Sequence, residues 1–161
     1  MVMKVISIFG GSGFIGTELV KQLAKKPIEI RIFTRKKTKI NYSKFSPRIK
    51  VIEYSSNKDF SENLEGSNII INLVGILHES RKLKFSMAHE NFVSRLINYA
   101  LKKNINRLIH LSALGASKTA ESKYLNSKYK TEILIKENYK SFNWTIFRPS
   151  IVFGSQDKFI N

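Results

Sequence analysis

Short apolar runs alternate with amphipathic stretches along the whole chain. Residues 4–9 (KVISIF) are rich in β-branched side chains and run into glycines, which predicts a first strand. Residues 17–26 (TELVKQLAKK) put Leu19, Val20, Leu23 and Ala24 on one helical face, and Pro27 stops the helix. Apolar and polar positions alternate over 28–33 (IEIRIF), as in a strand. A polar, basic connection spans 34–48, and 49–53 (IKVIE) predict a third strand. A short helical piece over 60–64 is followed by Gly66, and 69–74 (IIINLV) read as a fully buried strand bounded by Gly75. The clearest helix covers 85–103, where Phe85, Ala88, Phe92, Leu96, Ile97 and Ala100 mark one stripe. Residues 107–111 (RLIHL) predict a fifth strand, 123–138 carry helical spacing again, and 144–147 predict a last strand ending at Arg148 and Pro149. This order, β-α-β-β-α-β-α-β-α-β, predicts an α/β doubly wound parallel sheet covered on both faces. No internal repeat or linker interrupts it, so residues 1–161 are expected to form one domain.

Composition changes the picture little. Of 161 residues 42% are hydrophobic, and eleven Phe, six Tyr and one Trp are spread along the length, which argues for a real core. The absence of cysteine excludes disulfides and thiolate chemistry. The opening MVMKVISIFGG lacks the long apolar region and small-residue cleavage site of a signal peptide. No run reaches the length of a membrane span, so a cytoplasmic protein without a direct membrane span is expected. The formal charge of +16 is unusual, and such a field attracts phosphates, nucleic acid or anionic lipid. The basic residues are scattered, however, in a chain also rich in isoleucine and asparagine, which reads as a compositional habit. A dedicated nucleic-acid role is therefore not expected.

The densest chemistry lies in GGSGFIG, residues 10–16. Gly11, Gly13 and Gly16 fit G-x-G-x-x-G, and Gly10, Gly13 and Gly16 fit G-x-x-G-x-x-G. Either pattern alone is weak, but here a strand precedes it and a helix opens within it. Missing Cβ atoms allow the tight turn, let a pyrophosphate approach the backbone, and pack the helix closely on the strand. The helix N-terminus then offers its free N–H groups to phosphate. The alternative is a purely structural turn. At the end of the second strand stand Thr34, Arg35, Lys36 and Lys37, where NAD-binding versions of this arrangement carry an acidic residue. Glu29 is at the wrong end of that strand. Guanidinium matches a 2′-phosphate, so NADP(H) is favoured through Arg35 with Thr34 and Lys36 in support, and NAD(H) is the alternative.

These motifs, taken with four later ones, resemble the extended and atypical short-chain dehydrogenases/reductases. GGSGFIG is similar to the family's TGxxGxxG, with Phe9 where the family has threonine. Asn72 to Ile76 (NLVGI) stand at the turn beside the nicotinamide ribose, Ser112 follows strand five, Tyr124 to Lys128 (YLNSK) form YxxxK, and RPSIVFG from Arg148 matches RPxxVxG. INLVGILHES, HLSALGA, SKYLNSK and FRPSIVFGSQDKFIN are similar, more narrowly, to the nucleotide-binding accessory subunit of respiratory complex I and its epimerase/dehydratase-like bacterial relatives. The resemblance implies a Rossmann fold that holds a nicotinamide dinucleotide through Gly10, Gly11, Ser12, Gly13, Phe14, Ile15 and Gly16. Thr34, Arg35, Lys36, Leu73, Val74, Gly75, Lys128 and Pro149 complete that set. It implies Tyr124, Lys128 and Ser112 as the catalytic group. Only eleven residues separate Ser112 from Tyr124, fewer than in sugar-nucleotide members, and this opens a ribose-contacting role for Ser112 with Ser117 as its substitute. Asn91 lies on the helix where many relatives carry asparagine, and Glu53 stands near the family's adenine-contacting aspartate. The chain stops shortly after the RPxxVxG run, so a sheet truncated after strand six, without substrate-side elements, is expected.

Tyr124 and Lys128 carry a physical argument of their own. Residues four apart on a helix share a face, and an ammonium beside a phenol should lower the phenol pKa from about 10. A tyrosine so tuned exchanges a proton with a carbonyl or hydroxyl while hydride moves to or from nicotinamide. His78, His89 and His110 have no metal-ligand spacing, so no metal is expected. Three functions remain open: an NADP(H)-dependent reductase; a non-catalytic nucleotide-binding subunit of respiratory complex I, peripheral at the inner membrane through its protein partners; and a basic interaction module.

Overall fold

The computed structural model describes residues 3–35, 41–55, 58–138 and 143–154. Strands β1 (Val5–Phe9), β2 (Glu29–Thr34), β3 (Ile49–Glu53), β4 (Ile69–Asn72), β5 (Arg107–Leu111) and β6 (Asn143–Phe147) form one sheet in the order β3-β2-β1-β4-β5-β6. Every neighbouring pair is parallel. The order reverses between β1 and β4, and ligands of such sheets bind beyond the strand ends at that point. Register makes those ends level, since Phe9 stands opposite both Phe33 and Asn72.

Strand alternation sends side chains to two cores. On one face Ile6, Ile8, Ile30, Ile32 and Ile71 pack against Val20 and Ala24, the inner side of α1 (Phe14–Leu23) and its C-cap. On the other, Phe9, Phe33, Ile70 and Leu108 meet Phe92, Val93, Leu96, Ile97 and Ala100 of α2 (Phe92–Lys102), and Ile135 of α3 (Lys123–Glu137). Phe9 stacks on Phe33 at 4.4 Å between ring centroids, so the bulky residue in the usual threonine position is absorbed by an aromatic core. Full burial of a side chain such as Phe9 contributes about 1.5–3 kcal/mol.

Four local features differ from the sequence expectation. Helix α1 begins at Phe14, three residues earlier than expected, because extended Gly13 serves as its N-cap and Gly16 already lies in its first turn. Strand β4 stops at Asn72, where the side-chain Oδ1 accepts the Val74 N–H at 3.0 Å and turns the chain out of the sheet. The long helix is wound in two ways, a π-helical stretch over Ser86–Asn91 running into α2. Within the supposedly polar 34–48 connection, a 3-10 turn at Tyr42–Lys44 buries Tyr42, whose hydroxyl donates to the Gly11 carbonyl at 3.1 Å.

Candidate functional site

The loop between β1 and α1 is shaped by what a side chain would meet there. Gly10 has φ +80°, and a Cβ on it would lie 2.9 Å from the Leu73 carbonyl carbon. A Cβ on Gly16 would overlap the Gly10 carbonyl oxygen and come within 2.6 Å of the Gly11 Cα. The Gly13 N–H donates to the Gly10 carbonyl at 3.0 Å and closes the turn, and no side chain among the described residues caps the first turn of α1. The helix thus presents unpaired amides beside bare backbone, the cradle a diphosphate requires.

A cleft of about 680 Å³ opens over this loop, lined by Gly10, Ser12, Gly13, Thr34, Leu73, Val74 and Gly75 among others. Buried Thr34 approaches Ser12 at 3.5 Å between hydroxyl oxygens, and exposed Arg35 lies at the cleft's edge. Lys36 lies outside the described residues. Arg35 also borders a smaller pocket of about 260 Å³ with Met87, Asn91 and Arg95, and a polar one with Glu53 and Lys58. Asn91 and Glu53 therefore both stand near the far end of the cleft. Glu29 stands at the opposite end of β2, bonded to Arg31 and Lys50.

Tyr124 and Pro149 line a separate cavity of about 480 Å³, apolar in character, with Phe14, Ile15, Leu77 and Leu114. Lys128, one turn along α3, is buried, and its ammonium donates to the Leu111 carbonyl at 2.9 Å at the end of β5. The same ammonium would lie 3.3 Å from a Cβ on Gly75, so a larger residue there would crowd it. Burial pulls the Lys128 pKa down to about 8, against the opposing charge of Glu132.

One expectation requires correction. Lys128 lies 6.0 Å from the centroid of the Tyr124 ring and addresses a backbone carbonyl, so it does not depress the phenol pKa. Burial instead raises Tyr124 above its ordinary value. Ser112 lines the same cavity as Tyr124, and its hydroxyl donates to Glu132 at 2.6 Å. Burial disfavours that carboxylate, but bonds from Arg148 at 2.8 and 2.5 Å and from Ser112 outweigh it and hold its pKa below the usual range. Ser117 is half-buried in the turn after β5, and its carbonyl accepts the Ala120 N–H at 3.3 Å.

The histidines also separate. His78 is exposed, while His89 and His110 are buried. Asn72 spends its Oδ1 on Val74, so its Nδ2 donates to His110 Nδ1 at 3.1 Å, and the proton of that ring sits on Nε2, unpartnered among the described residues. Burial, then the Lys128 charge, lowers His110 to about 3 and His89 to about 4. No group of three metal-ligating side chains occurs among the described residues. Tyr42 and Glu132 escaped the sequence reading, and His89 entered it only in the metal question, although it stands four residues after Phe85 on the inner side of the apolar stripe.

A family model described as NAD(P)H-binding matches residues 10–157, nearly the whole chain. The chain belongs to the NAD(P)H-binding family. A nicotinamide dinucleotide is the ligand that this family's glycine loop, bare of Cβ atoms here, is built to accept. Curated relatives include NADH dehydrogenase [ubiquinone] 1 alpha subcomplex subunit 9 of Dictyostelium discoideum, 32% identical over 98% of this chain and 45% of the relative. The Mus musculus protein of the same name is 28% identical over 98% and 43%. This NAD(P)H-binding chain thus spans less than half the length of those relatives. Among solved structures, UDP-glucuronic acid 4-epimerase of Bacillus cereus in complex with NAD superposes with TM-score 0.77 at 18% identity, covering 95% of this chain and 58% of that one. A short-chain dehydrogenase/reductase of Veillonella parvula in complex with NADP gives 0.71 at 20%, covering 91% and 69%. These two carry the fold, and the Rossmann expectation holds.

Proposed function

We propose that this chain is the nucleotide-holding part of a respiratory complex I accessory subunit, and that it keeps NADP(H) as a structural ligand. The observation that carries the non-turnover reading is the Ser112 hydroxyl, bonded to Glu132 and so withdrawn from a substrate carbonyl. Tyr124, its pKa raised by burial, is a weaker acid and stands less often as phenolate than a turnover role asks for. The respiratory assignment rests on relatives named as subunits of NADH dehydrogenase [ubiquinone] and matched along 98% of the chain. Gly10 to Gly16 take the diphosphate, and Thr34, Arg35 and Lys36 take the adenosine 2′-phosphate. Leu73, Val74, Gly75, Lys128 and Pro149 border the nicotinamide half. Residues 1–161 act as one dinucleotide-binding domain, with substrate-side elements supplied from outside it. Respiratory partners, suggested by relatives that are subunits of NADH dehydrogenase [ubiquinone], hold it at the inner membrane, and no helix among the described residues is long and apolar enough to cross a membrane.

A second reading, a reductase, is favoured by one arrangement. Tyr124 opens on a cavity beside a Lys128 poised near neutrality, at about 8. There Tyr124 would exchange the proton and Lys128 would hold the ribose, while the dinucleotide supplies hydride.

One experiment separates the two. The full-length protein is isolated from its own cells, its nucleotide is identified by mass, and isotope-labelled NADPH is added with a panel of carbonyl compounds. Retained, non-exchanging NADPH that co-sediments with NADH:ubiquinone oxidoreductase supports the structural role. Repeated hydride transfer to a carbonyl overturns it in favour of the reductase.

A further inference from the structure

His89 sits in the π-helical stretch Ser86–Asn91, a winding that recurs at functional sites. It is 1% exposed, and both of its ring nitrogens are engaged. The Ile76 N–H donates to Nε2 at 3.1 Å, so Nε2 carries the lone pair. Ser127 Oγ lies 2.8 Å from Nδ1 and donates its own proton to the Tyr124 carbonyl at 2.7 Å. Nδ1 must therefore be the protonated nitrogen and donate to Ser127. Only one neutral tautomer satisfies all three bonds.

The chain of bonds joins two places that matter to the nucleotide. One end is the turn after β4, at Gly75 and Ile76, which borders the dinucleotide cleft. The other is the start of α3, with Tyr124 in its first turn and Lys128 in its second. A Cβ on Gly75 would lie 3.6 Å from His89 Nε2 and 3.3 Å from Lys128 Nζ, so imidazole and ammonium converge on the same turn. The His89 ring meets Phe85 and Tyr124 at 5.6 and 5.9 Å between centroids, which fixes its plane.

We infer that His89, as its neutral Nδ1–H tautomer, is a positioning residue that ties the turn after β4 to α3. It thereby sets the spacing between the nicotinamide half of the bound dinucleotide and the Tyr124–Lys128 pair. The second part of this inference rests on the nucleotide-binding reading. A protonated ring would lose the Ile76 bond and face the Lys128 ammonium, so the tether works only in the neutral state.

The test uses the full-length protein and two ligands, NADPH and 2′-phospho-ADP-ribose, which lacks the nicotinamide. His89→Leu and Ser127→Ala each break the chain of bonds, from opposite sides. Each is expected to weaken NADPH about tenfold and 2′-phospho-ADP-ribose less than about twofold. His89→Gln can accept from Ile76 and donate to Ser127, and should restore NADPH to within about threefold of the parent. Nitrogen-15 NMR of the parent protein should show the Nδ1–H tautomer throughout pH 6 to about 9. Equal losses for both ligands would reduce His89 to a fold-stabilising residue and overturn the positioning role. An Nε2–H tautomer would overturn the tether itself. Failure of the parent to bind either ligand would instead sink the nucleotide reading and the nicotinamide part with it, while the tautomer still decides the tether.

Discussion

Gly16 and Gly66 look alike in the sequence and differ in what a methyl group would cost. A Cβ on Gly16 would strike the Gly10 carbonyl and the Gly11 backbone, which the β1–β4 packing holds in place. Gly16→Ala should therefore cost about 1–3 kcal/mol through overpacking and abolish saturable NADPH binding. Gly66 has φ +72° but open space around it, so Gly66→Ala should cost about 1–2 kcal/mol of backbone strain with NADPH affinity unchanged. Urea titration with parallel NADPH fluorescence checks both. Loss of binding in both variants would show that instability alone, rather than the cradle, is responsible. Lys128 makes the second residue-scale prediction. Its pKa is about 8 in the fold against an ordinary 10.5, so between those values the unfolded chain binds more protons. Stability should then rise with pH across that window, by about 3 kcal/mol in total if Lys128 acted alone. Lys128→Met should remove the rise, which denaturation from pH 7 to about 10.5 would reveal.

At the scale of elements, β5 and the π-helical stretch each bury a neutral histidine near Lys128. For both, the folded pKa lies below the ordinary 6.5, at about 3 for His110 and about 4 for His89. Stability from the neutral rings is complete above 6.5 and is lost as pH falls through the folded values. Glu132, whose folded pKa also lies low, adds its loss only below the ordinary carboxylate value of 4.5. Between pH 6.5 and about 4.5 the decline should therefore belong mainly to the histidines. Thermal melts of a His89→Gln, His110→Gln double variant should be flat across that range, and a slope as steep as the parent's would refute the assignment.

The same elements show what could be read in advance. Strands and helices followed from period-2 and period-3.6 patterns, because burial of a face is a local property of the sequence. The glycine loop and the tyrosine–lysine pair were visible for the same reason, as short spacings inside one element. The bonds from Ser112 to Glu132, His89 to Ile76 and Tyr42 to Gly11 join residues 20, 13 and 31 positions apart and leave no periodic trace. Tertiary packing chooses those partners, and it reversed the expected direction of the Tyr124 pKa by burying the phenol without a close ammonium.

For the whole molecule the decisive quantity is charge, because 28 basic residues against 12 acidic give a long-range field that favours anions. NADPH carries a 2′-phosphate that NADH lacks, so the field and Arg35 at the cleft edge should act on NADPH more strongly. Raising salt from about 20 to 300 mM shortens the screening length from roughly 20 to 6 Å, below the reach of scattered surface lysines but not of a contacting guanidinium. NADPH affinity should therefore fall more steeply than NADH affinity as salt rises, yet keep a residual advantage at the high end. Arg35→Ser should remove that residual advantage and leave NADH nearly unchanged, whereas a purely diffuse effect would make the two nucleotides converge in the parent protein. Calorimetric titrations of parent and variant at both salt levels distinguish these cases. Ligand stabilisation gives an independent reading of the same preference, since nucleotide at about 100 times its Kd adds about 2.7 kcal/mol to the folded state. If NADH raises the melting temperature as much as NADPH at equal concentration and high salt, the basic end of β2 is solvated surface, and the domain takes either cofactor.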